Sequence, residues 1–230
     1  MPLAGSLINI TVILLWLASA GTFYGRWYYQ KRGWNKDLSI LFLFIGCYFL
    51  TVNLPLFISN TQVNWIGWAH IAGFGFLALA MIQSLRLPMF KNIKVIKNNF
   101  EIIIWSLGFL GLVIMAILSY EVQPPVTSGW LTLWSPHPVA GWLAGLLVLS
   151  YGTAWIWLFS NACLKIRKKE ARIKMQALGL AGFSLGLAGW FHFTAINFWL
   201  SGISFALSAL SGLLVAYFIL LPKWLKILKK

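Results

Sequence analysis

The chain has 230 residues, 60% of them hydrophobic and only 10% charged, with eighteen Lys and Arg against four acids and a net charge of +14. A water-soluble domain carries about 25% charged residues, so this composition argues against one and for a surface that mostly faces lipid. A nucleic-acid interface is excluded by placement, because the charges form short clusters between apolar runs and no continuous basic face.

Residues 1–25 carry no charge, enough for one crossing at about 20 residues per span, and predict a helix over 3–24. Ala18-Ser19-Ala20 before Gly21 resembles a signal-peptide cleavage site. However, the first ten residues lack a basic region, and cleavage would leave Arg26, Lys31, Arg32 and Lys36 outside, so the segment reads as a retained helix. Residues 38–85 are again uncharged and predict two crossings, 38–58 and 64–86, turning at Ser59-Asn60-Thr61-Gln62. Within the first, Asn53-Leu54-Pro55 marks a kink where the Asn side chain can pair with a freed carbonyl. The segment 89–97 alternates apolar residues with lysines in a way that suits either a short helix on the inner leaflet or a solvated basic loop.

A fourth helix is expected over 101–120, flanked by Glu101 and Glu121. A polar, Pro-rich loop follows, and then a long helix over 138–163. The uncharged stretch 175–222 predicts two more crossings, 174–193 and 198–221, turning near Thr194–Asn197. In lipid the backbone must satisfy itself, so runs of this kind are helices. The expected fold is therefore all-α, a seven-transmembrane-helix bundle forming one domain over 1–230.

Direction follows from the basic residues. All eighteen lie in the first, third and fifth connections and in the tail, while the opposite side carries only Glu121. Lys and Arg favour the cytoplasmic side, which predicts an outer N-terminus, a cytoplasmic C-terminus and attraction to anionic headgroups on the inner leaflet. Tryptophans agree: Trp65, Trp68, Trp130, Trp134, Trp142, Trp190 and Trp199 fall near the outer boundary, and Trp27, Trp34 and Trp224 near the inner one. They read as a headgroup belt or, alternatively, as the lining of an outward-facing pocket.

Small residues mark close packing. Gly179, Gly182, Gly186 and Gly189 form one face of the sixth expected helix, and Ser201, Ser204, Ser208 and Ser211 one face of the seventh. These faces predict a tight pair between the two helices, with the fifth, carrying Gly141 and Gly145, close by. The same faces could also form a seam along which helices slide. Cys47 and Cys163 fall at different depths, which argues for packing and against a disulfide.

Candidate chemistry is confined to three histidines, His70, His137 and His192, all on the expected outer side. Together with Trp68 and Trp190 they define a candidate outer ligand pocket. Three imidazoles could hold a metal ion, and His70 with His192 could ligate haem or bind a pigment. A third reading is an interfacial role that needs no cofactor, since His has an apolar body and a polar tip. No acid lies deep in a span, which lowers the case for ion- or proton-coupled transport. The last helix has no Lys for a retinal Schiff base, and no nucleophile–base pair, triad or nucleotide loop is visible, so no enzymatic activity is expected.

The run Lys165-Ile166-Arg167-Lys168-Lys169-Glu170-Ala171-Arg172-Ile173-Lys174-Met175-Gln176 joins a long helix to a small-residue helix, and the last helix leaves at Leu221-Pro222-Lys223 into a basic segment. In length and topology this resembles the seven-transmembrane N-terminal sensor region of membrane histidine kinases. Such regions continue into an output domain, whereas this sequence ends at Lys230, which implies either a truncated chain or one that works through partners. The resemblance implies a receptor-like module in the plasma or cytoplasmic membrane, passing an outer or lipid-phase signal to a cytoplasmic signalling protein. The alternatives are a non-catalytic subunit of a membrane complex that binds haem, pigment or metal, and a small uniporter or lipid-handling protein.

Overall fold

The computed structural model describes residues 3–58, 63–84, 86–87, 111, 126–128, 131–133 and 138–219. Among these residues are six helices: α1 (Leu3–Gln30), α2 (Gly33–Ile58), α3 (Val63–Ser84), α4 (Pro138–Leu164), α5 (Lys169–Thr194) and α6 (Phe198–Ile219). Apart from Gly111, the helix expected over 101–120 lies outside the described residues, as do the segment 89–97, the turn 59–62 and the basic tail. Four stretches are long and apolar enough to cross a membrane: Gly33–Pro55, Gly141–Leu164, Lys169–Thr194 and Phe198–Tyr217, with a shorter apolar helix over Trp68–Ser84. That is four candidate spans among the described residues, against the seven expected from sequence.

The helices run further into the basic clusters than the charge pattern suggests. α1 continues to Gln30, and α5 begins at Lys169 instead of 174. Lys and Arg are good helix formers, and their stems can lie along apolar surface while the charge reaches water. A helix thus has no physical reason to stop where charges begin. α1 stops instead at Lys31, whose φ of 52° is left-handed and whose N–H reaches the Trp27 carbonyl at 2.7 Å, a helix-ending motif usually served by Gly. The Lys31 and Lys36 ammonium groups lie 5.3 and 5.5 Å from the Trp27 ring centroid, so the turn is held partly by cation–π attraction.

Two short stretches before α4 form strands where the Pro-rich composition predicts a loop. Strands β1 (Val126–Ser128) and β2 (Leu131–Leu133) pair antiparallel, with Thr127 opposite Thr132. Val, Thr and Leu at these positions suit a pleated ribbon, and only two residues separate the strands.

Cross-helix contacts give the directions. Ser39 Oγ donates to the Ala20 carbonyl at 2.9 Å, and Gln83 Nε2 donates to Asp37 Oδ1 at 3.2 Å, so α1–α2 and α2–α3 are antiparallel. Gln83 is therefore an end-of-helix clasp. Tyr151 O–H donates to the Met81 carbonyl at 3.2 Å, tying α4 to α3. Gly212 of α6 lies beside Leu15 and Trp16 of α1, closing the bundle. Helices α1, α3, α4 and α6 run one way, and α2 and α5 the other. The described basic residues at 26–36, 86 and 165–174 consequently gather at one end of the bundle, here called the basic end.

The expected pair of α5 and α6 is present with α4 close by, but the glycine stripe is not the face that makes it. Gly179, Gly182, Gly186 and Gly189 face α4, not α6: their neighbours are Phe159, Trp155, Gly152 and Val148. Backbone meets backbone at Gly152 and Gly186, where a Cβ added to either would lie 2.8 or 2.7 Å from the other's Cα. The serine stripe of α6 does face α5, but it meets the alanine side. Ser204 Oγ donates to the Ala188 carbonyl and Ser211 Oγ to the Ala181 carbonyl, each at 2.7 Å. α5 is thus held on one side by close van der Waals approach together with the Trp155 Nε1–H bond to the Leu178 carbonyl, and on the other by the serine hydrogen bonds. Cys47 and Cys163 are both free thiols.

Candidate functional site

Polar side chains inside an apolar bundle are costly unless they are paired. Several here are paired within their own helix: Ser19 donates to the Leu15 carbonyl and Asn53 Nδ2 to the Phe49 carbonyl, each at 2.7 Å. Pro55 sits inside α2 without ending it, and the Asn53 bond lies in the turn just before the proline.

A group of polar side chains converges instead on a central cavity of about 90 Å³, toward the end of the bundle opposite the basic one. Every described helix contributes to its wall: Asn9 from α1, Tyr48 and Asn53 from α2, His70 from α3, Val148 from α4, His192 from α5, and Ser201, Ser204 and Ser208 from α6. A water needs roughly 10–15 Å³ of such space, so the chamber holds several waters or a small ligand.

His70 is 4% exposed. Its ring centroid lies 5.6 Å from that of His192, with the ring planes 8° from parallel. Glycines make this approach geometrically accessible. Gly73, three residues beyond His70, faces Val52 and Tyr48 and lets α3 close on α2. Gly189, three before His192, faces Val148 and does the same for α5 on α4. Phe74 and Phe193 pack edge to face at 5.6 Å and fix the same two helices next to the imidazoles. Nε2 of His192 is buried and has no hydrogen-bond partner among the described residues.

Of the candidates drawn from sequence, His70 and His192 are brought together. Trp68 is 62% exposed, and Trp190 packs edge to face on Trp142 with centroids 5.0 Å apart. Neither tryptophan lines the chamber. Trp65, Trp68, Trp142 and Trp199 are all exposed at that end of the bundle, the placement of a headgroup belt. His137 lies outside the described residues. Among the described residues no cluster of three or more His, Cys, Asp or Glu could hold a metal ion.

Sequence reasoning missed Asn9 and Tyr48, and read the serines of α6 as a packing face or a sliding seam and not as chamber lining. Asn9 carried a usable signal, since an amide inside an apolar run is expensive unless something meets it. A second, apolar cavity of about 50 Å³ lies further along the axis, walled by residues that include Trp16, Phe42, Met81 and Trp155. Leu77, Val148 and Leu185 line both cavities. Compared with models of known families, with curated proteins and with solved structures, the chain matches none of them.

Proposed function

We propose that the chain is an integral membrane sensory module, receptor-like and non-enzymatic, that takes a small ligand into the histidine chamber and signals at its basic end. The single observation that carries this reading is the chamber wall, to which all six described helices contribute. An occupant that favours one arrangement of that wall biases the packing of the whole bundle. α5 supplies the connection: one helix of 26 residues carries His192 in its last turn and Lys169 at its start. At about 1.5 Å per residue it is a lever roughly 39 Å long. Its first turns carry the Glu170–Lys174 ion pair and several basic side chains, a surface suited to an acidic cytoplasmic partner or anionic lipid.

Within this reading the chain has seven spans with the N-terminus outside. Two observations support it. The described basic residues share one end, and α3 finishes at that end while α4 begins at the other, which favours a return crossing between them. The second reading, a membrane-complex subunit binding a cofactor through histidines, gains from the proximity of His70 and His192.

The test is affinity purification of the full chain from native membranes, beside a variant with Lys165, Lys168 and Lys169 changed to Glu. The expected outcome is a cytoplasmic signalling protein that co-purifies with the wild type and is lost from the variant. Stoichiometric metal or a Soret band in the purified chain, with no such partner, would sink the sensory reading in favour of the subunit.

A further inference from the structure

We propose that the occupant is a short-chain carboxylic acid, with its head group at His70 and His192 and its tail in the apolar cavity beyond Leu77, Val148 and Leu185. The inference rests on the reading of the chamber as a ligand site and adds the class of ligand. The first observation behind it is the stacking of the two cavities. One is rich in polar side chains and the other almost wholly apolar, and three side chains belong to both walls. Water or an ion suits the first, whereas among the described residues the second offers one unpartnered donor, Trp16 Nε1, against the roughly two to four partners a buried water needs. A molecule with one polar and one apolar end satisfies both.

The second observation is the chemistry of the head-group end. The titratable side chains facing His192 in the chamber are His70 from α3 and Tyr48 from α2; α1, α4 and α6 contribute none to its wall. Among the described residues no Asp, Glu, Lys or Arg lines it. A cationic ligand would therefore meet no counter-charge. An acid brings its own: its carboxyl O–H bond breaks, the proton bonds to Nε2 of His192, which has no partner among the described residues, and the carboxylate stays beside the imidazolium it has made. Charge-assisted hydrogen bonds of this kind are the strong ones. Asn53 spends one Nδ2–H on the Phe49 carbonyl and keeps a second for the carboxylate. The tail then lies among Trp16, Phe42 and Met81.

The test uses the full chain in nanodiscs of neutral lipid, with empty nanodiscs as the reference for partition into the bilayer. Hexanoic acid, 1-hexanol and hexylamine are compared by saturation-transfer NMR and by thermal unfolding between pH 5 and 7. The bound complex holds one proton more than free carboxylate plus neutral imidazole. Because carboxyls ionise in water near pH 4–5, the affinity of the acid falls about tenfold per pH unit over this range. Hexanol binding does not change with pH, and hexylamine does not bind. His192→Gln abolishes the pH-dependent binding of the acid. Leu185→Trp, which fills the shared wall, is the second variant and shifts preference from hexanoic to acetic acid.

Acid affinity independent of pH after correction for partition, hexanol binding as tightly as the acid, or an unchanged length preference in Leu185→Trp overturns the proposal. Binding of none of the three probes also overturns it, while the sensory reading stands or falls separately on capture of its partner.

Discussion

Gly186→Ala tests the α4–α5 contact on which the bundle depends. A Cβ at 186 would sit 2.7 Å from the Gly152 Cα and 3.1 Å from the Val148 carbonyl oxygen, and both are backbone atoms that no rotamer change can move. Ordinary carbon–carbon contact is roughly 3.5–4.0 Å, so the helices have to part by about 1 Å. Overpacking of this kind costs about 1–3 kcal/mol, partly offset by about 1 kcal/mol of helix propensity gained by replacing Gly. Gly25 of α1 is the internal control, because a Cβ there meets nothing within 4 Å. Gly25→Ala should keep the propensity gain without the clash. The two variants are expected to differ by about 2 kcal/mol, with Gly186→Ala the less stable. The assay is SDS-induced unfolding from mild-detergent micelles, followed by tryptophan fluorescence. Gly186→Ala as stable as Gly25→Ala would refute the reasoning. In the double variant with Gly152→Ala the penalty should be less than additive, since helices parted by the first methyl have room for the second.

Gly182→Ala should be more damaging, by about 2–4 kcal/mol in the same assay. The new methyl would displace the Trp155 indole and break its 2.7 Å hydrogen bond to the Leu178 carbonyl. Ser211→Ala removes the bond to Ala181 and should cost about 1 kcal/mol, the usual worth of a bond between membrane helices; no loss at all would contradict its assignment as an interhelical tie. At the α1–α2 turn, Lys31→Gly and Lys31→Ala both lose the contacts to Trp27 and Tyr28, but only Gly relieves the left-handed φ of 52°. The Gly variant should be more stable by about 1 kcal/mol, and equal unfolding midpoints would count against the cap. For orientation, Trp65→Cys and Arg167→Cys are compared in a chain with Cys47 and Cys163 changed to Ser. An impermeant maleimide applied to intact cells should label only the first, and the reverse result would invert the topology.

The helical character and its rough boundaries could be read from residue order, because lipid leaves a long uncharged run no alternative to an internally hydrogen-bonded helix. α2, α4 and α6 begin or end within a few residues of the expected positions for that reason. The ends of α1 and α5 were harder to place. A charge tells where lipid stops, but the helix stops only where a cap such as Lys31 turns the chain.

What tertiary structure alone decided is partnership. The spacing of Gly179, Gly182, Gly186 and Gly189 makes a face for close approach, but spacing along one helix carries no information about which helix comes close. The structure assigns that face to α4, through Gly152, and leaves the serines of α6 to the opposite side of α5. The same limit applies to the site. The composition of each helix singled out His70 and His192 as rare polar groups in apolar runs, whereas Trp68 and Trp190 looked equally suitable and lie off the chamber. Only the packing of α3 against α5 turns two isolated imidazoles into a pair 5.6 Å apart over a shared cavity.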